Sequence, residues 1–411
     1  MRGALSYRTI WRSAKSRLLV SSVFGQGIAS VLLLFLGHDY GAAFVGKYAA
    51  IMAVAGFTSI FATLQLERLF VSQRAEEIAG AAWLMSCGVV SAMSLLFAAQ
   101  LIWQAEKIYY LTILVIPCLA FYQFSYYVAV RSGALIDIAN SKIIQGFTFA
   151  VGVVGFWALD ALSVSVLLVV TSVSWVLSGG TLLSAKAVAS FFNDVSFLFS
   201  RERVVKLFLE HFHFIIVTVP AMFFLVGSKD LAVIALDYFY SADIAGFYAL
   251  LSIMLLQPIG LLGKIFSAEI GHLASIKVSG CLLTATRRIS TNFILFSIVW
   301  VLFTGALLLL NYFLSFSNNY ILVAGLFPIF AIFSILGTAF GMLGPIIAKL
   351  KLHGVELSVA MGLLISTSLL GIFSALGVEG SLAISMLCLL CSVFYGVGLV
   401  CIYIRVGHAP K

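Results

Sequence analysis

The stretch SADIAGFYALLSIMLLQPIGLLGKIF, residues 241–266, decides how the rest of the chain is interpreted. It is one long apolar segment, and near its start stands Gly246-Phe247-Tyr248-Ala249. A similar sequence, Gly46-Lys47-Tyr48-Ala49, lies 200 positions earlier and also leads into a long apolar segment. Repetition of this kind within one chain is a primary indication of its architecture.

A second short repeat lies further along. Phe156-Trp157-Ala158-Leu159 is matched by Phe373-Ser374-Ala375-Leu376, 217 positions later. Because the two offsets are nearly the same, the sequence predicts two similar halves, an N-terminal bundle at residues 1–195 and a C-terminal bundle at residues 196–411.

The composition places the chain in a membrane. Hydrophobic residues make up 62% of it and charged residues 10%, whereas soluble domains carry about 25% charged residues. The net charge is +8, but the basic residues are spread between apolar segments, a pattern that concerns topology and not nucleic acid. We therefore expect an all-α integral membrane protein that contacts membrane lipids and no nucleic acid.

Apolar runs of about 20 residues, which can cross about 30 Å of hydrocarbon as helices, predict the spans. Twelve such runs lie at about 18–36, 48–71, 79–103, 110–130, 139–159, 162–184, 207–228, 244–267, 290–311, 320–345, 355–376 and 381–404. They predict two six-helix bundles. Since each half has an even number of spans, both halves enter the membrane in the same direction, as parallel repeats.

The distribution of Lys and Arg orients these spans. With both termini in the cytoplasm, 21 of the 24 Lys and Arg residues fall on the inner side, and only Lys47, Lys107 and Lys229 fall outside. This is the positive-inside pattern. It predicts a multi-pass protein of a bacterial cytoplasmic (inner) membrane with both termini cytoplasmic.

The chain offers little to an enzyme or a metal ion. It has no Ser/His/Asp cluster, Gly-rich phosphate loop or metal-ligand spacing, and the first predicted outer loop offers only His38 and Asp39. Cys388 and Cys391 form a CxxC inside a span without a second ligand pair, and we interpret them as small packing residues. We expect no enzymatic activity, no cofactor and no metal.

Several segments resemble the Wzx-type O-antigen and polysaccharide translocases of the multidrug/oligosaccharidyl-lipid/polysaccharide (MOP) exporter superfamily. The second span ends with TLQLERLFV, residues 63–71, which is similar to the end of that span in the family. The Gly-x-Tyr-Ala motif and Gln257-Pro258-Ile259-Gly260 resemble its eighth span. Residues 375–383 resemble its connection between the eleventh and twelfth spans.

This resemblance implies a MATE/MOP-like fold and a flippase. The substrate would be an undecaprenyl-diphosphate-linked oligosaccharide, an O-antigen or related surface polysaccharide repeat unit of lipopolysaccharide biosynthesis. It would move from the cytoplasmic to the periplasmic leaflet by alternating access, and polymerase and chain-length proteins of the same pathway would be partners. Two alternatives stay open: an ion-coupled small-molecule exporter of the same superfamily, and a membrane polysaccharide polymerase or ligase, which the short outer loops disfavour.

Charged residues near or inside spans cost free energy there and are candidates for function. A cationic vestibule on the cytoplasmic half would receive the diphosphate through Arg68, Arg131, Lys142 and Lys264. The alternative is that such side chains extend to the interface and only set topology. Taken singly, Arg131, Lys142 and Lys264 favour that alternative.

Coupling to an ion would require a titratable group. Glu210 and His213 are three residues apart and would share one helix face, where a His beside a carboxylate can titrate near neutral pH. The alternative is a polar cluster at the start of the seventh span. The coupling candidates are Glu67, Glu210, His211 and His213. Hinges are expected where proline interrupts a span, at Pro117, Pro220, Pro258 and Pro328.

Overall fold

A computed structural model gives the fold. The described residues are 20–21, 24–63, 75–102, 110–132, 134–183, 205–206, 209, 212, 220, 230–276, 279–313, 319–349 and 352–407. Within these ranges the regular structure is entirely helical, with no strand. This is the expected outcome for a chain whose backbone polar groups must be satisfied inside hydrocarbon.

The first half contributes six helices. They are α1 (24–39), α2 (Ala42–Thr63), α3 (Ala75–Ile102), α4 (Thr112–Ser132), α5 (Leu135–Ala158) and α6 (Val164–Leu182). The second half begins with α7 (230–239), and α8 follows in three pieces, Ala242–Leu251, a π-helical turn Ser252–Leu256, and Gln257–Ile276. The chain ends with α9 (Ser279–Phe313), α10 (Asn319–Met342), a short helix Gly344–Lys349, α11 (His353–Ala375) and α12 (Gly380–Gly407).

The predicted spans correspond to these helices. Nine helices in the described part of the chain are long and apolar enough to cross a membrane, which confirms a multi-pass membrane protein. The predicted seventh span, 207–228, lies almost wholly outside the described residues. The helix α9 begins eleven residues before the predicted span at 290 and includes the exposed Arg287 and Arg288. An apolar run marks only the part of a helix that lies in hydrocarbon, so hydropathy misses such an extension.

The repeated motif forms a reciprocal helix crossing. A Cβ atom on Gly46 would collide with the carbonyl oxygen of Ala242, and a Cβ atom on Gly246 would collide with that of Ala42. The two contacts are related by the same 200-residue offset as the sequence repeat, as a local two-fold relation requires. Backbones approach this closely only where a helix presents very small residues. The offset of the repeat is therefore structural.

The chain divides into two compact units by its internal contacts. One contains the described residues up to 32 and those from 51 to 223, and the other contains residues 33–50 and those from 224 onward. Residues 33–50, which are the end of α1, the connection and the start of α2, are grouped with the second unit, and the Gly46 crossing joins them to α8. The division into 1–195 and 196–411 stays a prediction.

The connections between helices are short and locally specified. The Ser163 hydroxyl accepts a hydrogen bond from the backbone N–H of Val166 at the start of α6, at 3.3 Å. Ser241 does the same at the start of α8, also at 3.3 Å. Such N-caps satisfy amides that the first helical turn leaves without a partner. Gly41 and Gly377, at the α1–α2 and α11–α12 connections, have φ angles of 88° and 73°, the left-handed region that glycine adopts without strain.

The second unit has an aromatic core. Tyr248 of α8 meets Phe330 of α10 edge to face, with ring centroids 5.2 Å apart, and Tyr395 of α12 is also buried there. Cys388 and Cys391 are buried in the same cluster. They pack as small apolar residues, as the sequence predicted.

The crossing predicts a specific sensitivity to volume. We expect Gly46→Ala to lower the free energy of unfolding by about 1–3 kcal/mol, because the added methyl group meets the Ala242 carbonyl in a packed crossing. Gly396→Ala in α12 is the control, since a Cβ atom there has no neighbour within 4 Å. Thermal unfolding of both variants in detergent measures the difference. Equal stability of the two variants would contradict the close crossing.

Candidate functional site

The candidate site lies in the first unit, around Lys142 of α5. Lys142 stands seven residues after Leu135, the first residue of α5, which corresponds to about 10 Å of helix. The residue is partly buried, and its ammonium group is enclosed by protein atoms. A charge inside a span is a functional candidate by default, because its transfer from water is costly.

Neighbouring helices fix the backbone at this position from two sides. The hydroxyl of Ser178 in α6 donates to the carbonyl oxygen of Ser141 at 2.8 Å, one residue before Lys142. On α1, a Cβ atom at Gly25 would collide with the Lys142 carbonyl oxygen, so α1 and α5 touch backbone to backbone. Small residues allow both approaches. The Lys142 backbone is therefore held in place while its side chain extends toward α4.

The ammonium group lies over two tyrosine rings of α4. Its Nζ atom is 4.9 Å from the ring centroid of Tyr122 and 5.8 Å from that of Tyr126. The two tyrosines are four residues apart and so share one helix face, with ring centroids 6.4 Å apart. Both distances lie within the range of cation–π attraction, which is worth about 2 kcal/mol or more when the cation is desolvated.

The direction of the Lys142 side chain bears on the two interpretations of this residue, binding of an anion or a role in topology alone. The helices α4 and α5 are consecutive, and Tyr122 lies one helical turn further from their connection than Tyr126 does. The Nζ atom is nearer to Tyr122. The amine therefore points away from the end of the helix pair, whereas a lysine that extends to the interface would point toward it. The side chain therefore does not extend to the end of the helix pair, and its role in binding stays a prediction.

The charge of Lys142 is attracted by the rings but not neutralised by them. Among the described residues, no carboxylate forms an ion pair with this ammonium group. An aromatic face stabilises a cation through its quadrupole and leaves the net charge in place. The Tyr122 hydroxyl is buried near the hydroxyl groups of Ser141 and Ser178. The site thus combines a positive charge with buried hydroxyl groups of α4, α5 and α6, and it suits an anion.

The structure describes the other predicted site residues only in part. Arg131 lies in the last turn of α4 and Lys264 in the third piece of α8, and the positions of their side chains are not among the described features. The residues outside the described ranges are Arg68, Glu67, Glu210, His211 and His213. The grouping of four cations into one vestibule stays a prediction, and Lys142 is the member whose surroundings are known.

The hinge candidates lie inside helices. Pro117 is in α4 and Pro328 is in α10. Pro220 is helical and exposed. Pro258 lies two residues after the end of the π-helical turn of α8, where the hydrogen-bond register of the helix changes. A proline beside a π-turn marks a kink with an identifiable cause.

Sequence reasoning missed the tyrosines of the site. The segment Phe121-Tyr122-Gln123-Phe124-Ser125-Tyr126-Tyr127 carries several polar side chains inside a predicted span, and that composition was the available signal. The 3.6-residue period would have placed Tyr122 and Tyr126 on one face. Their pairing with Lys142 depends on the way α4 and α5 face each other, which no local pattern specifies.

Comparison with known proteins identifies the fold. No protein-family model matches the chain, and no curated protein is detectably similar to it in sequence. Solved structures do match. The lipid II flippase MurJ in an inward closed conformation has a TM-score of 0.67 and 12% identity, covering 96% of this chain and 88% of that one.

Two further structures match over a similar length. An inward-facing multidrug resistance MATE family transporter of the MOP superfamily has a TM-score of 0.56 and 15% identity, covering 97% of this chain and 95% of that one. A MOP superfamily transporter from Pyrococcus furiosus has a TM-score of 0.55 and 15% identity, covering 96% and 95%. The chain therefore has the fold of MOP superfamily transporters, and the predicted all-helical, MATE/MOP-like fold class is confirmed.

The contact between Lys142 and the rings predicts a measurable coupling energy. We expect Tyr126→Leu to destabilise the protein more in the wild-type background than in a Lys142→Met background, by about 1–2 kcal/mol, because the cation–π attraction exists only with both partners. The free energy of unfolding in detergent of the wild type, the two single variants and the double variant gives this coupling energy. Tyr126→Phe is the control, since it keeps the ring face. A coupling energy near zero would mean that the rings do not hold the ammonium group.

Proposed function

We propose that this protein is a flippase that moves an undecaprenyl-diphosphate-linked oligosaccharide from the cytoplasmic to the periplasmic leaflet by alternating access. The observation that carries this proposal is the retained positive charge of Lys142 inside a bundle of the MOP fold. The match with the lipid II flippase MurJ supports a lipid-linked substrate. The O-antigen class of substrate rests on the resemblance of residues 63–71, 257–260 and 375–383 to the Wzx-type translocases.

The diphosphate is the part of such a substrate whose transfer across the membrane costs the most free energy without a protein. Each uncompensated negative charge that moves outward against a membrane potential costs about 2.3 kcal/mol per 100 mV, in addition to the cost of its dehydration. A fixed ammonium group within the bundle offsets both costs. Lys142 already has its backbone and its amine in place, so little ordering is needed when an anion binds.

The polyprenyl tail needs only an apolar environment. The helices α5 and α9 expose large apolar side chains along one face, among them Phe147, Val151, Val299 and Leu302. Faces of this kind suit lipid acyl chains and, equally, a polyprenyl chain. The tail can therefore stay in contact with lipid while the polar part of the substrate passes through the protein. Residence in a bacterial inner membrane, with polymerase and chain-length proteins as partners, belongs to this proposal.

A small-molecule exporter is the second candidate, because MATE family multidrug transporters share the fold. The charge at the site discriminates between substrate classes. An ammonium group that no carboxylate of the described residues pairs with repels cations at short range and attracts anions. An exporter built on this site would therefore carry anionic compounds, and a cationic substrate would require a different site.

Flipping by the reconstituted full-length protein tests the proposal. The probe is a fluorescent undecaprenyl-diphosphate-linked oligosaccharide in phosphatidylethanolamine–phosphatidylglycerol vesicles, with a membrane-impermeant quencher reporting the exposed leaflet. We expect Lys142→Met to slow flipping by at least about tenfold, since a hydrogen bond to a charged group is worth about 1.5–3 kcal/mol. Lys142→Arg should keep part of the rate, because the charge remains.

Two controls make this result specific. Arg288→Gln removes a basic residue that is exposed on α9 and should leave the rate unchanged. The stability of Lys142→Met should match or exceed that of the wild type, since the change removes from inside the bundle a charge that no described carboxylate pairs with. A wild-type flipping rate in Lys142→Met would reject the role of this residue. A wild-type protein that moves anionic compounds and not the lipid would favour the exporter.

The predicted coupling pair has its own test. Glu210→Gln keeps the shape of the side chain and removes its charge, and we expect it to abolish the response of flipping to an imposed pH gradient while the lipid still binds. His213→Gln should act in the same way, because the pair would hold the proton together. Glu379→Gln, at the exposed α11–α12 connection, is the control. An unchanged response in both variants would assign the pair to the structure of the seventh span.

A further inference from the structure

The helix α8 changes its hydrogen-bond register at Ser252–Leu256. At the end of this π-helical turn the backbone N–H of Gln257 donates to the carbonyl oxygen of Ser252, five residues earlier. Turns of this kind are rare and occur mostly as local bulges in α-helices, often at functional sites. The next residue, Pro258, has no N–H at all. The backbone hydrogen bonds of α8 are therefore interrupted at one place, both by the change of register and by the missing amide of Pro258.

The proline leaves the carbonyl group of Met254 without its usual donor. In an α-helix the amide of residue 258 would donate to the carbonyl oxygen of Met254, and proline cannot do so. That carbonyl receives another donor, because the indole Nε1–H of Trp300 in α9 donates to the Met254 oxygen at 3.0 Å. In hydrocarbon no water can take this role. The Trp300 side chain thus replaces the amide that Pro258 lacks.

The bond also joins two helices. Trp300 is partly buried, while its neighbours Val299 and Leu302 are 63% and 67% exposed. The apolar part of the indole packs near Phe303, with ring centroids 5.8 Å apart, and its polar tip points at α8. A single side-chain hydrogen bond can break and form again with far less rearrangement than several consecutive backbone hydrogen bonds of a helix. Such a bond can therefore hold a bend in one conformation and release it in another.

The position of the bend along α8 shows which part can move. The crossing at Gly246 lies six residues before the π-turn and joins α8 to the start of α2 by backbone contact. This crossing anchors the first piece, Ala242–Leu251. The third piece, Gln257–Ile276, lies beyond the interruption. We infer that α8 bends at Ser252–Pro258 during transport and that Trp300 is the positioning residue that sets the angle of the bend. This inference holds for any substrate.

The hydrogen bond from Trp300 to Met254 can be removed by one substitution and replaced by a second substitution in α8. Trp300→Phe keeps an aromatic ring and removes the donor. We expect it to raise the hydrogen-exchange rates of the amides of residues 255–261 by about tenfold in the full-length protein in detergent micelles, because a buried carbonyl group loses its donor. Pro258→Ala restores an amide that can donate to Met254. The double variant should therefore return to within about twofold of the wild-type rates.

Matched variants separate this mechanism from loss of packing. Phe303→Leu disturbs the packing beside Trp300 and keeps the indole N–H, so exchange at residues 255–261 should stay within about twofold of the wild type. Wild-type exchange in Trp300→Phe would overturn the inference. So would failure of Pro258→Ala to restore slow exchange in the Trp300→Phe background, since the substitution supplies the missing donor.

A transport measurement tests the motion itself. Pro258→Ala alone closes the backbone ladder and should stiffen α8. We expect it to slow flipping in the vesicle assay by about tenfold while thermal stability is kept or increased. A wild-type rate in a protein with slowed exchange would show that the bend is structural and does not move. If the wild-type protein does not flip the lipid probe, the substrate proposal fails, and the exchange result still decides whether Trp300 holds the bend.

Discussion

A carbonyl group in the hydrocarbon core has no water to accept from, and this constraint organises the structure. The helices satisfy their own backbones, and buried hydroxyl groups also turn inward, as Thr171 does when it donates to the carbonyl oxygen of Leu167 at 2.8 Å. A hydroxyl group that donates to its own helix in this way can lie between packed helices at little cost. At Met254 the helix cannot supply the donor, because Pro258 has no amide, and Trp300 supplies it from α9. The same rule that makes the protein helical thus accounts for the polar tip that Trp300 of α9 turns toward α8.

The second constraint concerns charge. The ammonium group of a lysine inside a span can extend to the interface, pair with a carboxylate or lie over aromatic rings. The net charge inside the bundle differs among the three cases. An interfacial ammonium group sets topology, and a paired one is neutralised. The ammonium group of Lys142 lies over the rings of Tyr122 and Tyr126, which leave its positive charge in place inside the bundle. Stability alone gives little reason to keep a charge in such a place, because an apolar side chain would fit at lower cost.

Sequence patterns predicted much of the fold, because the bilayer imposes a length and a composition on each span. The repeat at Gly46 and Gly246 also proved structural, since only glycine fits a crossing of backbones. The candidate site was less predictable. Hydropathy identified Lys142 as an intramembrane charge, but its partners lie on another helix, and the sequence favoured a lysine that extends to the interface. The Trp300 contact joins residues 46 positions apart in the chain. Tertiary contacts of this kind leave no periodic signal, so local patterns indicate the helices and leave their pairing open.

The two halves repeat the crossing and differ in what they have added to it. Residues 52–56 of α2 correspond to the π-helical turn of α8 by the 200-residue offset, and they are ordinary α-helix, with Thr58 where the second half has Pro258. By the 217-residue offset Lys142 corresponds to Val359 of α11, which is buried and apolar. Over these positions the first half carries the charge and the second half carries the bend. The crossing is therefore common to both halves, whereas the ammonium group over two tyrosine rings and the π-helical turn beside a proline are not repeated at the corresponding positions. Packing of small residues fixes the crossing, and the chemistry added beside it differs from one half to the other.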